Sequence, residues 1–138
     1  MEPGFSPEGK WLAYVERTGR REVYVAALPS GGKLQISNMG GVNPVWARNG
    51  RELFYNDPIK DQLMAVPVQA GPDFRFSAPV ALYSTSEFLF SPQPPSYDVA
   101  SDGRLLMLMP KGRPKPGTRP LTVVLNWAEE LRRATAGR

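Results

Sequence analysis

The chain contains no cysteine and no histidine. The first absence removes disulfides, thiolate metal sites and cysteine nucleophiles; the second removes imidazole bases and histidine metal ligands. A serine nucleophile would have no imidazole to take its proton, and no Gly-x-Ser-x-Gly elbow is present. Neither a metal nor a cofactor is expected, and no catalytic residue stands out. No apolar run approaches the ~20 residues that cross a bilayer. The first residues, Met1-Glu2-Pro3-Gly4, lack the basic start and apolar stretch of a signal peptide. Absent cysteine fits cytoplasm and periplasm equally, so the compartment stays open.

What is present points to a folded domain built of many short pieces. A length of 138 residues suits one domain with a real core, and 41% apolar with 22% charged residues is ordinary for a globular protein. The 13 glycines and 15 prolines are scattered, so they act as punctuation between short elements and favour an all-β fold. The net charge of +4 owes much to one loop, in which Lys111, Arg113, Lys115 and Arg119 stand among Gly and Pro without aromatics or acids. Such a loop could meet nucleic acid or an anionic lipid surface. A solvated hairpin loop is the preferred reading, and neither nucleic acid nor membrane is the expected partner.

The chain repeats itself. Phe5-Ser6-Pro7-Glu8-Gly9-Lys10-Trp11-Leu12-Ala13-Tyr14 pairs a polar turn with an alternating apolar strand. It returns as Trp46-Ala47-Arg48-Asn49-Gly50-Arg51-Glu52-Leu53-Phe54-Tyr55, and again as Val99-Ala100-Ser101-Asp102-Gly103-Arg104-Leu105-Leu106-Met107-Leu108. The turn glycines lie 41 and then 53 residues apart. Each copy is flanked by further strands: Glu22–Leu28 and Lys33–Ser37 after the first, Gln62–Val68 and Pro79–Tyr83 after the second, Leu121–Leu125 after the third. Asn49-Gly50 carries the signal of a tight hairpin. Gln69–Ala78 reads as a longer connection. A meander of about forty residues is the size of one β-propeller blade. The expected organisation is a single partial propeller over 1–138, with blades at about 3–41, 42–84 and 85–125 and a short helix at about 126–134. Asn126 can cap that helix, Glu129 and Glu130 sit early and Arg132 and Arg133 late, and Trp127, Leu131 and Ala134 share a face.

The first block, continued by Glu22-Val23-Tyr24-Val25, resembles the TolB-type β-propeller repeat, a WD40-like pattern of aromatic, Ser-Pro-Asp-Gly and an apolar strand ending in Ala-Tyr. Glu8 stands where Asp is usual, Arg48-Asn49 replaces Pro-Asp in the second copy, and the third lacks the proline. The tail from Leu121 to Leu131 resembles the end of large bacterial proteins that carry such a propeller. The resemblance implies a ring of about six blades, of which three at most are encoded here. It also implies a non-enzymatic protein-binding or sensory module, with the ring completed by a homodimer or by further chain. Similar propellers gate serine peptidases of the prolyl-oligopeptidase type, so an accessory role to a hydrolase on another chain is an alternative.

Single residues yield few sites. Trp11, Trp46, Phe54, Tyr14, Tyr24 and Tyr55 occupy alternating strand positions and read as blade core rather than as a ligand pocket. Glu8, Asn49 and Asp102 each sit alone in a turn, which suits turn stabilisation better than calcium binding. Glu129 and Glu130 are adjacent and so face apart. Two stretches remain as partner-binding candidates: the apolar loop Phe88-Leu89-Phe90-Ser91-Pro92, and Trp127 with Leu131 on the short helix, for which capping the open edge of the last blade is the preferred reading. The partner expected is a second copy or another protein.

Overall fold

The computed structural model describes residues 3–86, 97–108 and 121–124, and over these the chain is all β. The helix expected at 126–134 and the loops holding Phe88–Phe90 and Lys111–Arg119 lie outside the described residues. The first sheet runs β1 (Gly4–Phe5), β2 (Trp11–Thr18), β3 (Arg20–Ala27) and β4 (Lys33–Gln35). The second is β5 (Val42–Trp46), β6 (Glu52–Asp57) and β7 (Gln62–Ala70), with β8 (Phe74–Phe76) on the far end of β7 and β9 (Val80–Ser84) on its near end. The third is β10 (Tyr97–Val99), β11 (Leu105–Leu108) and β12 (Leu121–Val124). Every pairing is antiparallel, and all but that of β7 with β9 join strands consecutive in the chain. This is a β-propeller fragment of three blades.

The repeated turn has one geometry. The turn glycine donates its amide to the carbonyl three residues back, Gly9 to Ser6 at 2.8 Å, Gly50 to Ala47 at 2.9 Å and Gly103 to Ala100 at 3.0 Å. These glycines have φ of 74°, 72° and 86°, a region that a side chain makes costly. Asn49 is not left-handed, so the two-residue hairpin expected from Asn-Gly is replaced by a longer turn closed between the Ala47 amide and the Glu52 carbonyl at 2.9 Å. Asn49 instead uses its side chain, whose Oδ1 accepts from the Arg51 amide at 2.9 Å, as Asp102 Oδ1 does from Arg104 at 3.1 Å. A short carboxylate or amide fits that role, and the longer Glu8 makes no such bond.

The third copy is out of step by one residue. Its turn closes between the Ala100 amide and the Arg104 carbonyl, so Leu105 pairs with Val99 as Leu53 pairs with Trp46 and Leu12 with Phe5. Aligning Leu105 with Trp11, as the sequence invites, is therefore wrong. Side chains alternate across a sheet, so one residue exchanges the faces. Leu105 and Met107 are fully buried and Leu106 is exposed.

Blades meet face to face along two apolar seams. In the first, Ala13, Val15, Val23 and Val25 lie against Trp46, Leu53, Tyr55 and Val66. In the second, Phe54, Leu63, Ala65 and Val80 lie against Tyr97, Val99, Leu105 and Met107. Aromatic donors tie the inner strands across both seams: Trp46 Nε1 donates to the Gly4 carbonyl at 2.9 Å, and the Tyr97 hydroxyl to the Asn43 carbonyl at 2.5 Å. The chain leaves the first blade through a buried polar knot. Glu22 accepts from the Ser37 hydroxyl and from the Gly40 amide, at 3.1 Å to each carboxylate oxygen, while the Val23 amide donates to Ser37 Oγ at 2.8 Å. A Cβ on Gly41 would stand 2.7 Å from Ser37 Oγ and 2.9 Å from Val23 Cγ2, so the linker passes too close for any other residue.

The stretch read as a long connection, Gln69–Ala78, is partly strand. β7 continues to Ala70, turns through Gly71-Pro72, and folds back as β8. Phe74 from this hairpin packs with its ring centroid 4.9 Å from Trp11 and 6.2 Å from Trp46, bridging blades one and two. Three alternating residues are too few to announce a strand, and it is this contact that holds them.

Candidate functional site

One large face of the described fold has no blade against it. Strand alternation puts Ala13, Val15, Val23 and Val25 of the first blade toward the second, which leaves Phe5, Leu12, Tyr14, Tyr24 and Ala26 on the opposite side. Phe5 is 62% exposed. Leu12, Tyr14, Tyr24 and Ala26 are half-buried. Tyr14 and Tyr24 stack with centroids 5.9 Å apart. The margin is polar: Lys33 Nζ lies 2.8 Å from Glu16 and 5.0 Å from the Tyr24 ring centroid, and the Tyr24 hydroxyl donates to Gln35 at 3.3 Å. The Glu16 carboxylate holds the Lys33 ammonium above its ordinary range.

This free face matches, row by row, a face that is covered elsewhere. Phe5, Leu12 and Ala26 form one cross-strand row, as do Trp46, Leu53 and Val66 in the second blade. Tyr14 opposite Tyr24 corresponds to Tyr55 opposite Met64. In the second blade those positions meet the first blade, and Trp46, Leu53 and Tyr55 are exposed by only 7%, 0% and 3%.

The second feature is a cleft of about 1080 Å³ at the turn ends of blades one and two. Trp11, Val68 and Pro72 supply apolar surface, Lys10 and Arg51 supply cations, and Glu8 supplies the one acid. Glu8 Oε2 lies 3.3 Å from where a Cβ on Gly50 would stand, so the two turns touch at one point of the wall. Lys10 and Arg51 are exposed and form no ion pair among the described residues. The Trp11 indole N–H is buried with no acceptor. Arg104, the residue after the third turn glycine, is bound to Asp102 at 2.6 Å.

Beside the cleft, Glu52 is half-buried and its Oε2 lacks a partner. Burial pushes its carboxyl above the usual range, opposed by a hydrogen bond from Asn49 and the charge of Arg51. A carboxyl raised in the folded state favours the protonated form there, so Glu52 costs stability at neutral pH and the cost fades as pH falls through the raised value toward 4.5. Glu52→Gln is expected to raise the urea midpoint at pH 7 and to lose that advantage near pH 4. An equal shift at both pH values would show that ionisation of Glu52 is not the cause.

The partner-binding residues expected from sequence, Phe88, Leu89, Phe90, Trp127 and Leu131, all fall outside the described residues, as do the cations of the basic loop. Of the aromatic positions, Trp46, Phe54 and Tyr55 are core, Trp11 packs against it, and Tyr14 and Tyr24 belong to the free face. Asn49 and Asp102 serve their own turns. That a partial ring leaves a blade face to be covered was legible in the sequence, but not which residues form it; the cleft was missed, although Lys10 and Arg51 follow their turn glycines at the repeat spacing and were the available signal for it.

No family model matches the chain, and no curated protein does. Among solved structures, the chain is similar to TolB from Acinetobacter baumannii, with a TM-score of 0.43 and 15% identity over 89% of this chain and 39% of that one. The chain thus spans 39% of the length of that protein.

Proposed function

We propose that the chain is a non-enzymatic protein-interaction or sensory module, and that its propeller ring is completed across the free face of the first blade, by a second copy or by further propeller chain. The observation that carries this is the row-by-row match between Phe5, Leu12, Tyr14, Tyr24 and Ala26 and the covered rows of the second blade. A face with that composition places aromatic and aliphatic side chains at the positions that elsewhere in the fold meet a blade. Burying one large apolar side chain is worth about 1.5–3 kcal/mol, so leaving several exposed favours association.

Light scattering on the chain at rising concentration checks the self-association form. The expected result is a dimer that Tyr14→Asp and Leu12→Asp convert to monomer; a monodisperse monomer at high micromolar concentration would leave further propeller chain as the occupant. If either charge substitution left the dimer intact, the assignment of this face would fail. The non-enzymatic reading is checked separately: purified chain is expected to leave peptide and ester substrates unhydrolysed, and turnover without a second protein would overturn it.

A further inference from the structure

We propose that the cleft between the first two blades binds an acidic peptide segment, holding a carboxylate between Lys10 and Arg51 and laying the adjoining chain over Trp11. The site lies at the turn ends and not on the free blade face, so it goes beyond ring completion, and either can fail without the other.

The lining is rich in donors and poor in acceptors. Arg51 offers a planar fork that matches a carboxylate, and Lys10 offers three rotatable donors. Neither forms an ion pair among the described residues, although the charge of Arg51 acts on Glu52, whereas Arg104, the residue after the third turn glycine, is already bound to Asp102. Glu8 is the one acid of the lining, which leaves the cleft net positive. Val68, Pro72 and the Trp11 ring give the segment apolar surface to lie on.

Size and packing narrow the ligand further. Small-molecule pockets run to about 300–1,000 Å³, and an open cleft of about 1080 Å³ suits a short stretch of chain better than one small anion. Single-stranded nucleic acid would also bring negative charge, but it binds by stacking bases on open aromatic faces. The Trp11 ring is half-buried and packed against Phe74 at 4.9 Å, which leaves part of it open for apolar contact with a peptide but not a full face on which to stack a base.

The test uses the full chain and an oligoglutamate peptide, followed by calorimetry. Oligoglutamine of the same length, free glutamate and a single-stranded oligonucleotide serve as comparisons. Oligoglutamate is expected to bind, and Lys10→Ala with Arg51→Ala is expected to weaken it at least about tenfold, since two charge-assisted hydrogen bonds are removed. Both positions are exposed, so these variants keep the fold. The proposal is overturned if oligoglutamate fails to bind at millimolar concentration, if oligoglutamine, free glutamate or the oligonucleotide binds as tightly, or if the double variant binds as the parent does.

Discussion

Phe54→Ala is expected to lower the free energy of unfolding by about 3–5 kcal/mol, the range for emptying a fully buried aromatic site. Among the described residues, Phe54 is the largest of the side chains that are completely enclosed. It stands in β6 between Val45 and Ala65 in register and belongs to the seam with the third blade, where Tyr97, Val99, Leu105 and Met107 meet it. Its cross-strand neighbour Ala65 is too small to fill the gap, and two hydrogen-bonded sheets cannot collapse onto it without breaking register. The cost therefore includes the cavity as well as the lost transfer energy. Urea unfolding measures it, with the midpoint falling and the slope kept. A loss below about 1 kcal/mol would mean that the second seam is not packed as described.

The second large effect is expected at Glu22. Its carboxylate is buried and accepts from the Ser37 hydroxyl and the Gly40 amide, with Arg20 3.9 Å away at the surface. Glu22→Ala leaves both donors enclosed without an acceptor. Each hydrogen bond to a charged group is worth about 1.5–3 kcal/mol, so a combined loss of about 3 kcal/mol or more is expected. Glu22→Gln keeps one oxygen as acceptor and costs less. Hydrogen exchange supplies the specific readout: the Gly40 amide is expected to lose protection in Glu22→Ala while the β6 amides keep theirs. A variant with Gly40 still protected would show that another group holds the linker. The knot matters because the linker, pressed against Ser37 and Val23 at Gly41, sets where the second blade begins.

The match between sequence and structure is uneven in an instructive way. Turn glycines at 9, 50 and 103 were legible because a left-handed residue is a local requirement, and the neighbouring Asn49 and Asp102 close their own turns. The strands of the first two blades were legible from alternation. The Asn49-Gly50 turn type was misread because a dipeptide signal does not count the residues that the flanking pairs use. The third strand phase was misread for a related reason: one residue fewer between Gly103 and the pairing at Leu105 is invisible to a pattern that aligns letters. Ser37 was assigned to a strand end, but its part in the Glu22 knot depends on Gly40 approaching from the linker.

The sequence by itself determined a repeated meander of antiparallel strands, the positions of its left-handed turns, and a chain without thiol or imidazole chemistry. These rest on dihedral preferences and on a two-residue period, which act within a few residues. Tertiary structure alone decided which face of each strand enters a seam, that β8 folds back to place Phe74 between two blades, and that Phe5, Leu12 and Tyr14 face outward while their counterparts Trp46, Leu53 and Tyr55 are covered. The cleft that joins Lys10 to Arg51 is of the same kind. Each depends on contacts between blades, and the same residue types at the same strand positions are core or surface according to whether a neighbouring blade lies against them.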